Sequence, residues 1–164
     1  MGYLAGAISV AVSLARLTDG TIRDAQNGRI YTHDSARRIL KSSVFEISDH
    51  VQMNYGHDAA GDICIYTSGL AKFGRCDLEI RRVPADCTEL AEYLLRCLAQ
   101  YLSTGEVISP DEIIQMGPAV LTATLITTNE TSKSTHGRLL ICDYDSDKKA
   151  PMESIQNYLQ AILG

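Results

Sequence analysis

The chain opens with an apolar stretch at residues 4–17, which is composed mainly of Leu, Ala, Val and Ile and carries Arg16 as its only charge. Gly20 follows shortly after as a stop signal, so the pattern favours a buried helix. Three β-branched residues in its centre leave a strand beginning there as an alternative. The stretch is shorter than the roughly twenty apolar residues that span a bilayer core, so we expect no membrane anchor.

The rest of the chain alternates short apolar runs with turn residues, which is typical of strands joined by hairpins. An Asn27-Gly28 step predicts a small hairpin within residues 21–31. Gly56 is predicted to end a strand that begins at Val44. The predicted strands after the small hairpin are residues 44–47 continuing through 50–55, then 62–67, 76–83, 120–127 and 138–144.

Three-and-four-residue spacing of apolar side chains predicts further helices. A short helix at residues 35–41 is capped by Thr32 or Asp34, and a longer one after Pro84 is capped by Asp86 or Thr88 and ended by Gly105. A closing amphipathic helix opens at Pro151. The stripe of the long helix is Leu90, Leu94, Cys97, Leu98 and Tyr101; that of the closing helix is Met152, Ile155, Tyr158, Leu159 and Ile162.

Hairpin-joined strands with helices between groups of them indicate an α+β fold, a largely antiparallel sheet covered by helices. The 164 residues contain no linker, repeat or low-complexity tract, so residues 1–164 are expected to form a single domain.

The charge balance bears on the class of partner. Fifteen Lys and Arg stand against twenty Asp and Glu, which gives a net charge of −5. This is the wrong sign for the counterion release that dominates nucleic-acid affinity, so no nucleic-acid partner is expected. An acidic surface that meets a protein partner is the alternative that the charge favours.

The five cysteines are odd in number and contain no C-x-x-C pair, so free buried thiols are expected. No secretory signal precedes them. A reducing cytoplasm is therefore the predicted location.

The strongest candidate catalytic cluster surrounds one predicted turn and comprises His50, His57, Asp58 and Asp62. Two imidazoles and two carboxylates could bind a divalent metal or share a proton, which suggests a metal-assisted hydrolase. The spacing matches no recognised ligand motif, however, and a polar loop with exposed side chains explains the same residues. The chain therefore offers no established metal site, no cofactor motif and no catalytic signature.

Two glycine steps bracket a loop between predicted strands. Gly69-Leu70 begins it, Phe73-Gly74 ends it, and Lys72 lies between them. Together with the following Leu78-Glu79 strand and the long helix ending near Gly105, this run resembles a bacterial domain-of-unknown-function family marked by the same Gly-Leu and Phe-Gly steps. The resemblance covers about the middle half of the chain. The chain departs from it after the helix, where residues 109–112 replace a Gly-rich turn.

The resemblance implies a bacterial protein with a binding role, because some relatives of that family look like immunity or accessory proteins of toxin and phage-conflict systems. The candidate binding residues are those of the glycine-bracketed loop itself, namely Gly69, Leu70, Lys72, Phe73 and Gly74. Loops held by a rigid scaffold commonly carry function.

Three functional hypotheses follow from these patterns. The first is a non-catalytic factor that binds a protein partner. The second is the metal-assisted hydrolase of small molecules that would use the His/Asp turn. The third is a structural subunit in which the apolar faces of the first and last helices form a homodimer seam.

Overall fold

The computed structural model describes residues 2–58, 60–116, 119–126, 137–145 and 150–152, together with Ile155 and Leu159. It confirms the α+β class, with helices packed on a mostly antiparallel sheet. The helices are α1 (Gly2–Thr18), α2 (His33–Lys41) and α3 (Thr88–Ser103). No helix in the described part of the chain has both the length and the hydropathy to cross a membrane.

Nine strands form two sheets in the described part of the chain. A two-stranded sheet pairs β1 with β2, and a seven-stranded sheet has the order β3-β4-β5-β8-β7-β6, with β9 also paired to β8. Every pairing is antiparallel except that of β5 with β8. The strands are β1 (Ile22–Arg23), β2 (Ile30–Tyr31), β3 (Gln52–His57), β4 (Ile63–Ser68), β5 (Asp77–Val83), β6 (Ile113–Met116), β7 (Ala119–Ile126), β8 (Arg138–Asp145) and β9 (Ala150–Met152).

The core lies between α3 and one face of the large sheet. The face of α3 that meets the sheet fully buries Leu94, Leu95 and Leu102. Ile65 and Ile80 of the sheet belong to the same cluster. Ile155 and Leu159 also belong to it, and the Leu159 amide donates a hydrogen bond to the Ile155 carbonyl at 3.0 Å. Burial of these side chains stabilises the packing of α3 on the large sheet.

A separate layer precedes the sheet, and we call residues 2–41 the N-terminal layer. It consists of α1, the β1–β2 hairpin and α2, with α1 packed mainly on α2. Thr32 caps α2, since its side chain accepts a hydrogen bond from the Ser35 amide. The predicted hairpin turn at Asn27-Gly28 is confirmed, with Gly28 at a φ of +77°.

Two predictions on the first large strand are wrong. Residues 44–46 form no strand, and a 3₁₀ turn, Ile47–Asp49, follows them. The chain turns here because the Glu46 carbonyl accepts the Asp49 amide and the Ile47 carbonyl accepts the amides of residues 50 and 51. Gly56 does not end β3, which continues to His57. Gly56 pairs with Cys64 there, and an added Cβ at Gly56 would lie 3.2 Å from the Cys64 Sγ.

Later boundaries also differ from the expectation. Neither Asp86 nor Thr88 caps α3, because a 3₁₀ turn at Ala85–Cys87 leads directly into the helix and the Thr88 hydroxyl donates to the Ala85 carbonyl. Met152 lies in β9 rather than in a closing helix, and β6 was not predicted. Two further members of the predicted closing stripe, Tyr158 and Ile162, lie outside the described residues.

Candidate functional site

The N-terminal layer is joined to the sheet by a row of polar contacts. Three consecutive carbonyls, at residues 48 to 50, each accept a hydrogen bond from a side chain of the β1–β2 hairpin. The bonds run from Arg29 Nη1 to the Ser48 carbonyl, from the Tyr31 hydroxyl to the Asp49 carbonyl at 2.9 Å, and from Asn27 Nδ2 to the His50 carbonyl at 3.0 Å. These side chains thus supply the hydrogen bonds that the three backbone carbonyls require.

The glycine-bracketed loop packs directly beneath this row. Gly69 has a φ of +122°, and a Cβ added there would lie 2.5 Å from the His50 carbonyl oxygen. Leu70 begins a 3₁₀ turn and is fully buried in the core. Only a glycine allows the backbones of residues 50 and 69 to approach so closely.

Lys72 extends from the same loop into the N-terminal layer. Its ammonium contacts the Asp24 carboxylate at 2.5 Å, and the two side chains are only 11% and 17% exposed. Burial lowers the pKa of Lys72 below its ordinary value, whereas the hydrogen bond to Asp24 acts in the opposite direction. Of the other loop candidates, Phe73 packs against the core and Gly74 is exposed at the end of the turn.

His50 lies at the centre of this region. It is 7% exposed, stacks on Phe45 with ring centroids 5.1 Å apart, and meets Phe73 edge-on at 5.9 Å. No described residue makes a hydrogen bond to either of its ring nitrogens. Burial is the main cause that lowers the pKa of His50 below 6.5, and nearby Lys72 adds to it. The folded environment therefore favours the neutral imidazole over the charged one.

Two adjoining cavities of about 290 and 250 Å³ lie between α1 and His50. We call the pair the α1 chamber. Five residues line both cavities: Leu4, Ile8, Ile39, Asp49 and His50. Lys72 and Asp24 line the smaller one. The chamber thus combines apolar walls from two helices with titratable groups from the β1–β2 hairpin, the turn before β3 and the glycine-bracketed loop.

The remaining members of the predicted His/Asp turn lie elsewhere. His57, Asp58 and Asp62 surround the β3–β4 turn, where His57 Nδ1 is 3.1 Å from the Gly61 carbonyl and Asp58 accepts the Asp62 amide. His50 precedes β3, whereas His57 ends it, and a strand of this length separates its ends by roughly 20 Å. The structure therefore does not bring the four side chains to one site. Within the described ranges, no three His, Cys, Asp or Glu residues are grouped so that they could hold a metal ion.

A buried ionic network on β5 was missed by sequence reasoning. Glu79 accepts bonds from Arg81 Nε at 2.7 Å and from Arg138 Nη1 at 2.9 Å, and the Arg138 guanidinium lies 4.0 Å from the centre of the Tyr66 ring. The parallel register places Arg138 opposite Asp77, one strand over. Period-two alternation normally marks a solvated polar face. Nothing in the local sequence indicates that β5 occupies the middle of the sheet.

Asp77 supports the glycine-bracketed loop from that network. Its Oδ1 accepts hydrogen bonds from the Leu70 amide and the Thr67 hydroxyl, both at 3.1 Å. Burial raises the pKa of Asp77, and these bonds oppose the change. Its role is to fix the loop conformation rather than to face a ligand.

The outward face of α1 carries a row of exposed apolar side chains that no described element covers. Tyr3, Val10, Leu14 and Leu17 are 92%, 63%, 57% and 82% exposed. No charged side chain occurs in α1 before Arg16. Exposed apolar patches of this kind mark interaction sites.

The comparisons with known proteins add no relative. No known protein family matches the chain, and neither a curated protein nor a solved structure shows significant similarity to it. The function is therefore inferred from the geometry of the chain itself.

Proposed function

We propose that this protein is a non-catalytic protein-binding factor and that the outward face of α1 docks an apolar helix of its partner. The observation that carries the proposal is the exposed stripe of Tyr3, Val10, Leu14 and Leu17. An immunity or accessory role in a bacterial conflict system, which the family resemblance implies, is the specific form of the proposal.

The spacing of the stripe indicates a helical partner. Its members are separated by seven, four and three residues, which is the interval at which side chains meet a facing helix as knobs into holes. Because α1 lacks charge over its first fourteen residues, no ion pair would select the partner. The matching surface on the partner is therefore apolar rather than basic.

The energetics are consistent with a docking surface of moderate strength. Burying each large apolar side chain contributes about 2 kcal/mol, and association costs at least about 4 kcal/mol in lost freedom of motion. Four anchors on α1 give a gain of about 8 kcal/mol before that cost. The stripe can therefore initiate binding, and further contacts must set the final affinity.

The test is capture of the tagged protein from its native host, with a matched pair of variants. Leu14→Glu introduces a charge in the stripe, and Ser13→Glu introduces the same charge at the adjacent exposed position outside it. We expect a stoichiometric partner whose capture falls at least tenfold in Leu14→Glu and is retained in Ser13→Glu. Equal capture by both variants would contradict docking on α1.

Light scattering of the purified protein distinguishes the homodimer alternative. A monomer at high concentration is the expected result and leaves the stripe for a different protein. A dimer that dissociates in Leu14→Glu but persists in Ser13→Glu would replace the proposed partner with a second copy of the chain.

A further inference from the structure

We propose that the α1 chamber is a binding site for a small molecule with an apolar body and a protonated amine. The site uses the inward face of α1 and is distinct from the outward stripe that we assign to a protein partner. Three features of the chamber support this proposal: its apolar walls, a buried imidazole to which no described residue forms a hydrogen bond, and the carboxylates that line it.

The walls of the chamber suit an apolar body. Leu4 and Ile8 come from α1, Ile39 comes from α2, and Phe45 stacks on the far side of His50. The two cavities, of about 290 and 250 Å³, each have room for about nine non-hydrogen atoms at roughly 30 Å³ apiece. Small ligand sites are typically apolar clefts with a few polar groups that orient the ligand.

His50 supplies the polar group that the fold leaves unused. It is more than nine-tenths buried, it lines both cavities, and no described residue forms a hydrogen bond to its ring. A neutral imidazole has one nitrogen that accepts a hydrogen bond. A buried polar group without a protein partner is costly unless water or a ligand satisfies it.

The charges that line the larger cavity favour a cation. Asp49 lines both cavities and Glu46 lines the larger one, and among the described residues of that larger cavity there is no Lys or Arg. The smaller cavity is lined by charges of both signs, because Lys72 contacts Asp24 there and Arg23 has an exposed side chain, so the ammonium is assigned to the larger cavity. An ammonium placed near Asp49 would therefore meet a carboxylate and the accepting nitrogen of His50 together.

Three probes of nearly equal shape test the proposal by calorimetry and by NMR shifts of the His50 ring. They are 2-phenylethylamine, 2-phenylethanol and phenylacetate, which differ in the charge of the terminal group. We expect the amine to bind with a Kd on the order of 1 mM or tighter. The alcohol should bind at least tenfold more weakly, and phenylacetate should not bind. Absence of amine binding at 10 mM, or equal binding of all three probes, would overturn the proposal.

Two variants locate the binding. Asp49→Asn should weaken the amine about tenfold and leave the alcohol unchanged, whereas Asp86→Asn, at an exposed position before α3, should change neither. Ile8→Trp should fill the chamber and abolish binding of both. If Ile8→Trp does not fold, the Asp49→Asn comparison still decides. Unchanged amine affinity in Asp49→Asn would refute the assignment, and it would leave the α1 docking proposal untouched.

Discussion

Two buried polar residues, His50 and Asp77, join separate elements through contacts with the backbone. The His50 carbonyl accepts a hydrogen bond from Asn27, while its ring stacks on Phe45 and meets Phe73 edge-on. Asp77 similarly accepts an amide from the loop that it supports. Each residue therefore acts at a junction between elements, and its protonation state is coupled to folding.

The titration of His50 makes stability depend on pH. Its pKa is below 6.5 in the folded protein, so the unfolded chain binds the proton first and the free energy of unfolding falls as pH decreases below about 6.5. The charges that act on the ring are those of Lys72, Asp49, Asp24 and Arg29.

Replacing His50 with Phe should remove this contribution, which has a slope of at most about 1.4 kcal/mol per pH unit. Urea unfolding between pH 5 and 7.5 measures the difference in slope between wild type and His50→Phe. His57→Gln, at the exposed β3–β4 turn, is the control for loss of a histidine. Parallel curves for wild type and His50→Phe would show that His50 is protonated without cost in the folded state.

At the scale of elements, local sequence signals predict most strands and helices but not which other elements pack against them. The Asn27-Gly28 turn is encoded within a few residues and is confirmed. The helix α3 is confirmed too, but its predicted stripe is only partly right, because Leu94 and Leu98 are buried whereas Tyr101 is 49% exposed. The alternation at residues 44–47 is equally regular, but the Glu46 and Ile47 carbonyls accept amides of the turn that follows and so do not pair with another strand. The strand at residues 76–83 is predicted, but the burial of Glu79 within it is not, because that burial depends on β8, some sixty residues away.

In the candidate site, too, sequence patterns predict individual residues but not their arrangement in space. The loop at residues 69–74 and His50 were singled out separately, and neither pattern indicated that Gly69 lies against the His50 carbonyl. The α1 chamber could not be predicted at all, since it depends on how the N-terminal layer docks on the sheet. Sequence identified chemically distinctive residues, and three-dimensional packing determined which of them meet.

The two bracketing glycines provide a matched test of that packing. Gly69→Ala should cost more than about 2–3 kcal/mol, because the new Cβ would meet the His50 backbone at 2.5 Å in addition to the strain of a positive φ. Gly74→Ala should cost only about 1 kcal/mol, because its φ is +69° and no atom lies within 4 Å of the added Cβ. Chemical unfolding of both variants measures the difference. Equal losses would mean that the close approach is relieved by a small shift.

For the whole molecule, the N-terminal layer and the sheet are joined mainly by polar groups. The large apolar core lies on the α3 side, whereas Ala15 and Ala36 are the fully buried apolar residues of the layer among those described. The hydrogen bonds to carbonyls 48 to 50 and the Lys72–Asp24 pair therefore determine how firmly α1 is held over the chamber. Regions with few buried apolar contacts open before the core does.

Breaking the Lys72–Asp24 pair should loosen the layer without unfolding the sheet. Lys72→Met leaves the Asp24 carboxylate buried without its partner, and the expected loss is about 3 kcal/mol. Hydrogen exchange should then accelerate in α1 and α2 while the amides of α3 remain protected. The double variant Lys72→Met/Asp24→Leu should recover at least half of the loss, because two apolar side chains replace the pair. Uniform acceleration across α3 as well would mean that layer and sheet unfold as one cooperative unit, and the chamber would then close and open only with the whole fold.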